Sequence, residues 1–382
     1  MKGAQVEKTI AIMVRTCPDG AVRCCVLSFA LLAACLPILA APAPPVRHTT
    51  RQRNVARSRH GVSTFADSTE GDVAAFDDPI VRQAAIRGLG LYNGSVVAID
   101  PNSGRILSIV NQKLAFSAGF IPCSTIKPVI AVAALHEGIV THDTKIRVSW
   151  HQHLNLTEAL AHSNNAYFEE LGRRMGFDTV SNYARTLGLG ELAGYGIPEE
   201  QPGSLPSEPP KHGGVARMSS FGEGILITPL QLGALVSTVA NGGTLYYLQY
   251  PRTLEETENF EPRTKRTLDI QSALPDLRDG MHAAVLRGTA RRSNLPESEH
   301  ASGKTGTCSD SSSHIGWFVS YVDQERLQLV LVILMRGNTR AVRGPMAAGI
   351  AGHIYHQLHE EEYFTKQDTQ PGTAILSAAT SQ

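Results

Sequence analysis

A serine and a lysine three residues apart, Ser124 and Lys127 in PCSTIKPVIAVAAL, stand at the head of an apolar stretch. Residues three apart share a helical face, so the amine reaches the hydroxyl. An ammonium in such surroundings costs several kcal/mol unless it is paired or gives up its proton. A neutral amine beside a hydroxyl is a base beside a nucleophile. Taken alone, the pair also fits a capping serine followed by a surface lysine. A second polar island, Ser163 and Asn165 in ALAHSNNAYFEELGRRMG, lies inside a helical pattern. At a bend between helices, Ser163 would pass a proton and Asn165 would hold an amide, although an ordinary helix cap explains both. A third, Lys304, Thr305 and Gly306 in HASGKTGTCSDSS, offers a cation, a hydroxyl and a place where substrate approaches the backbone. Its plain alternative is a basic residue protecting an edge strand.

These segments need elements to bring them together. DPIVRQAAIRGLGLYN carries a helical period that ends at Gly88 and Gly90. GSVVAIDPNSGRILSIVN reads as two strands joined at Pro101–Gly104, and HIGWFVSYV with LQLVLVILM as a second hairpin turning over 323–326. Helices are expected over 128–137, 156–175, 229–241 and 342–360. Strand pairs at both ends with helices between and after predict an α+β fold, a central antiparallel sheet flanked by helices, with an all-helical subdomain. The domain is expected over 77–362.

The chain has 382 residues, 42% hydrophobic and 18% charged, with zero formal net charge. That balance excludes a strongly basic nucleic-acid binder. Residues 24–41 form an apolar run of a length suited to an export signal or a short membrane anchor, so 1–41 is read as one of these. Leu32-Ala33-Ala34-Cys35 resembles the lipobox of bacterial lipoproteins, with Cys35 the residue that would be lipidated. The stretch 42–76, rich in Pro, Arg, Ser and Thr, reads as a tether. Arg47, Arg51, Arg53, Arg57 and Arg59 within it oppose the positive-inside tendency, but a basic linker also lies along anionic lipid heads. Residues 363–382 read as an unstructured tail.

The order SxxK, SxN, KTG is the set shared by penicillin-binding proteins and class A β-lactamases. Together with SSFGEGILITPLQLGALVSTVANGG and HIGWFVSYV, the motifs resemble the transpeptidase domain of the penicillin-binding proteins over about 80–356. The resemblance implies a peptidoglycan D,D-transpeptidase that needs no cofactor or metal. Ser124 would be the nucleophile, Lys127 the base, Ser163 the relay, and Asn165 a substrate amide partner. Lys304 and Thr305 would hold the substrate carboxylate beside Gly306, and the main-chain N–H groups of Ser124 and Thr307 would form the oxyanion hole. Implied partners are D-Ala-D-Ala stem peptides, β-lactams as covalent inhibitors, and the membrane on the periplasmic side, but no nucleic acid. Hydrolysis in place of aminolysis would give a carboxypeptidase.

If the amides of Ser124 and Thr307 face one oxygen, Cys123 and Cys308 are neighbours. Their placement resembles that of the disulfide in some class A carbapenem-hydrolysing enzymes, and a bridge between them is expected. The other cysteines, Cys17, Cys24, Cys25 and Cys35, fall in or before the export segment. Two departures keep other readings open: only a tether precedes the domain, and Cys123 stands where the family usually has glycine. A serine β-lactamase is one alternative, although no clear ExxLN segment is present and the 141 residues from Ser163 to Lys304 suit a transpeptidase. A non-turnover β-lactam sensor or scaffold is the other. His151 and His153 alternate like strand neighbours but lack an evident third metal ligand, and Trp317 is expected in the core.

Overall fold

A computed structural model describes residues 61–324 and 327–365. The expected export signal, lipidation at Cys35, most of the tether and nearly all of the tail lie outside the described residues. Among the described residues no helix is long and apolar enough to cross a membrane.

The chain opens with helix α1 (Pro79–Leu89), whose first amides are capped by the Asp78 carboxylate at 3.0 Å. Strands β1 (Gly94–Ile99) and β2 (Ile106–Val110) follow, then the short α2 (Gln112–Ala115), α3 (Lys127–His136), the hairpin β3 (Ile146–Ser149) and β4 (Gln152–Leu154), and α4 (Leu156–Ala161). Next come α5 (Asn165–Thr186), α6 (Gly214–Phe221), α7 (Pro229–Ala240), β5 (Thr244–Tyr246), α8 (Leu254–Glu258), β6 (Thr264–Thr267) and α9 (Leu274–Leu286). The chain then returns to the sheet through β7 (Ser302–Ser309), β8 (His314–Gln324) and β9 (Leu327–Gly337), and α10 (Gly344–Glu360) closes it.

The central sheet has the order β2-β1-β9-β8-β7, antiparallel throughout. Both hairpins form where the apolar runs place them. In the first, Asp100 accepts from Asn102 N at 2.9 Å and Ser103 Oγ at 2.6 Å, and Gly104 turns the chain at φ 74°. A β-carbon at Gly104 would lie 2.6 Å from the Tyr247 carbonyl oxygen, so glycine is required there for space as well as for φ.

Every residue of β1 and β2 is buried, because helices cover both faces. The period of two divides them. Val97, Ile99, Val332 and Trp317 face α3, α5 and α7, whereas Val96, Ala98, Ile333 and Phe318 face α1 and α10. Trp317 is fully buried, in the core. α3 to α7 with α9 form the helical part over the first face, with β3–β4 and β5–β6 as small two-stranded additions.

Residues 61–76, part of the stretch read as a tether, lie against the domain. Asp72 pairs with Arg82 at 2.9 Å and accepts from the amides of Asn111 and Gln112. Phe65 stacks on Tyr92 with centroids 5.4 Å apart. This packing is mostly polar, so it leaves no apolar period in the sequence.

Candidate active site

The chain leaves Pro122 into a 3-10 turn, Cys123–Ile126, that runs directly into α3. Cys123 sits in the left-handed region at φ 54°, a conformation costing a residue with a β-carbon about 1–2 kcal/mol. The turn leaves Ser124 half-buried at the surface of the cleft and buries Lys127 completely.

Around the Lys127 amine the geometry is specific. Its Nζ lies 3.0 Å from Ser124 Oγ, 2.7 Å from the Ser163 carbonyl oxygen, 2.7 Å from Asn165 Oδ1 and 3.0 Å from Ser163 Oγ. Burial holds its pKa well below the ordinary value of 10.5, the nearby Lys304 lowers it further, and Glu169 partly opposes them. A neutral amine has two N–H groups and one lone pair. The two carbonyl-type oxygens accept the two protons, and the lone pair is left for a hydroxyl.

The helix expected over 156–175 is broken. α4 ends at Ala161, Ser163 takes φ 54°, and α5 begins at Asn165 with the Asn164 side chain accepting from Tyr167 N at 3.0 Å. A continuous helix would spread Ser163 and Asn165 around its circumference. The break turns both toward Lys127, and non-glycine residues at such angles cluster where function demands them.

The opposite wall is β7, the edge of the sheet. Side chains alternate along a strand, so Lys304, Gly306 and Cys308 share one face. Lys304 donates to Ser163 Oγ at 2.9 Å and to the Thr305 carbonyl at 2.9 Å. Gly306 leaves room for the Pro122 carbonyl, which would stand 2.9 Å from a β-carbon. Cys308 is joined to Cys123 by a disulfide with Cα atoms 5.7 Å apart. On the other face Thr305 exchanges a 2.6 Å hydrogen bond with Thr289, and Thr307 Oγ1 accepts from Gly344 N at 2.8 Å. Lys304 is fully buried, and desolvation lowers its pKa to about 7.

The three segments therefore meet in one cleft: a hydroxyl, a buried amine, a second hydroxyl shared with a second amine, and a strand whose outer rim carries no partner strand among the described residues. The arrangement suits acyl transfer.

The family model described as penicillin binding protein transpeptidase domain matches residues 94–356. The chain belongs to this family. Stage V sporulation protein D of Bacillus subtilis is 27% identical over 310 residues, covering 68% of this chain and 48% of that protein. Peptidoglycan D,D-transpeptidase MrdA of Acinetobacter baumannii is 27% identical, covering 63% and 45%. The chain spans about half the length of the curated relatives it matches. Among solved structures, the apo transpeptidase domain of Burkholderia pseudomallei penicillin-binding protein 3 superposes with a TM-score of 0.65 at 18% identity, covering 82% of this chain and 99% of that one. Pseudomonas aeruginosa PBP2, in complex with WCK 5153, gives 0.64 at 20% identity, covering 76% and 75%. These two likenesses carry the fold: a central antiparallel sheet with flanking helices and a helical subdomain.

In this transpeptidase domain the structure adds residues that the motifs did not reveal. Thr289 and Gly344 brace Thr305 and Thr307 from behind, and Trp317 Nε1 donates to the Ile121 carbonyl at 3.0 Å, steadying the approach to Ser124. All are long-range partners without a local signature. His151 and His153 join no group of metal-ligand type among the described residues. His142, Asp276 and Asp279 do, with ligand atoms within 4.8 Å of one another, but His142 Nδ1 is already paired with Asp276 at 2.8 Å.

Proposed function

We propose that this chain is a peptidoglycan D,D-transpeptidase working through an acyl-enzyme on Ser124. The observation that carries this reading is the Lys127 amine, within hydrogen-bond reach of Ser124 Oγ, with both its protons accounted for by the Ser163 and Asn165 oxygens. Such an amine takes the Ser124 proton as the oxygen attacks the carbonyl of the penultimate D-Ala. The developing oxyanion lies between the main-chain N–H groups of Ser124 and Thr307, contacts of a kind worth about 3–4 kcal/mol in the transition state. Ser163, 3.0 Å from Lys127, relays the proton to the departing D-Ala amine. Lys304 holds the terminal carboxylate, Gly306 lets the substrate backbone approach, and Asn165 contacts a substrate amide.

The acyl-enzyme is then resolved by an amine from a neighbouring strand, giving a cross-link, or by water, giving carboxypeptidase activity. β-Lactams acylate Ser124 by opening their ring amide, and the leaving nitrogen stays attached. The domain works on the periplasmic side of the membrane, held there by the segment that precedes it.

The test is a fluorescent penicillin with peptide mapping. A lasting label on Ser124 supports the reading, and rapid loss of the label points to a β-lactamase. Release of D-Ala from a stem pentapeptide separates an enzyme from a sensor or scaffold, and label on any other residue overturns the assignment.

A further inference from the structure

The cleft has two walls that touch through few direct bonds. One is the 3-10 turn carrying Ser124. The other is β7, which is paired with β8 on one side only and has no partner strand on the side facing the turn among the described residues. An edge strand held on one side is free to shift relative to whatever lies beyond it. Two side chains on the same face of β7 prevent this: Lys304 binds Ser163 Oγ at 2.9 Å, and Cys308, four residues along, bonds to Cys123.

Cys123 is an uneconomical choice unless the bond matters. Its φ of 54° favours glycine, and a glycine would leave the turn unstrained. A β-carbon at this position is needed only to carry a sulfur across the cleft. The bridge is buried, with Cys123 0% and Cys308 8% exposed. It joins the residue before Ser124 to the residue after Thr307, and the amides of Ser124 and Thr307 are the two donors of the oxyanion hole in the acyl-enzyme reading. The Lys304 contact sits at the carboxylate end of the face, and the bridge sits at the oxyanion end. Gly306, between them, has the Pro122 carbonyl against its backbone.

We infer that the Cys123–Cys308 disulfide is a positioning clamp that sets the separation of the two oxyanion donors, so that the rate of Ser124 acylation depends on the bridge being closed. This rests on the acyl-enzyme reading above. Opening the bridge lets the edge strand drift from the turn. The acylation step then slows, because the donors no longer converge on the position that the oxyanion takes. Initial binding of the ligand, which depends on Lys304, is little changed.

The deciding variant is Cys123→Gly combined with Cys308→Ala. Glycine removes the left-handed strain, so the double variant is expected to fold. In the full chain, stopped-flow measurement with a fluorescent penicillin separates the pre-acylation dissociation constant from the acylation rate constant. The inference expects the rate constant to fall ten- to a hundred-fold, with the dissociation constant within threefold of wild type. A folded double variant that acylates within twofold of wild type overturns the clamp, even if its melting temperature has fallen, because the bridge would then serve stability alone.

Should the double variant not fold, the wild type is treated with a dithiol. The dithiol gives two electrons to the S–S bond and closes its own disulfide, while Cys123 and Cys308 become thiols, as verified by peptide mass. The same slowing, restored by reoxidation, is expected, and an unchanged rate refutes the clamp. Absence of any label on Ser124 in the wild type would remove the acyl-enzyme reading and the clamp with it, whereas equal rates would remove the clamp alone.

Discussion

Lys127 and Lys304 converge on one atom: Ser163 Oγ lies 3.0 Å from the first amine and 2.9 Å from the second. Two ammonium groups so placed, both buried, would repel each other with no solvent to screen them. At least one is therefore neutral near neutral pH, and the two carbonyl-type acceptors around Lys127 suit the neutral form there. This division suits the base role proposed for Lys127 and leaves on Lys304 whatever charge the pair carries.

Replacing Lys127 by arginine keeps a cation at the site permanently. Penicillin acylation of Lys127→Arg is expected to be slower by about 10^2 to 10^4-fold, the usual worth of a general base. In the wild type, acylation should fall as pH drops and Lys127 takes up a proton. Rapid-quench labelling across pH checks both, and a flat profile would count against the amine as base.

Ser163→Gly removes the hydroxyl and relaxes the left-handed backbone at that residue. The expected outcome is a protein as stable as the wild type or more so, with acylation reduced at least tenfold. Melting temperature and label uptake, measured side by side, distinguish a relay from a turn residue.

Lys304 has its pKa lowered by burial to about 7, against 10.5 when unfolded. Between those values the unfolded chain binds more protons than the folded one, so stability rises with pH and is lost as pH falls through the window. From pH 7 to 9.5 the contribution is on the order of 3 kcal/mol. Buried Lys127 acts in the same direction. Tyr250 and Tyr363, whose pKa values burial raises, reverse the trend only above the ordinary tyrosine range. Urea unfolding of wild type and Lys304→Met over this range should show a shallower slope in the variant.

Gly306→Ala tests the closeness of the walls. The added methyl would lie 2.9 Å from the Pro122 carbonyl oxygen and 3.1 Å from Thr125 Cγ2. Overpacking of this kind costs about 1–3 kcal/mol, and because the displaced atoms flank Ser124, acylation should slow as well. Denaturant midpoints and labelling rates give both readouts.

The sheet was legible in the sequence because its strands are long apolar runs bounded by turn residues, and the cleft because Ser124, Lys127, Ser163, Asn165 and Lys304, which meet there, fall in contiguous short motifs. The break at Ser163 was harder to read. ALAHSNNAYFEEL keeps a helical period straight through it, and a single left-handed serine has no compositional mark. Thr289 and Gly344 were invisible for another reason: they reach Thr305 and Thr307 only after the sheet and helices have assembled. Asp72 illustrates a third limit. A carboxylate that receives two amides and an arginine orders its segment by polar contacts, which periodicity does not detect.

With β8 on one flank and no strand on the other among the described residues, β7 presents a row of backbone groups repeating about every two residues, or roughly 7 Å. An extended peptide laid along that rim is measured by its main chain, which is the same for every sequence. Donors that differ at side chains pointing away from the rim would be accepted alike, and discrimination would fall on the peptide's end, where the proposed reading sets a free carboxylate against Lys304.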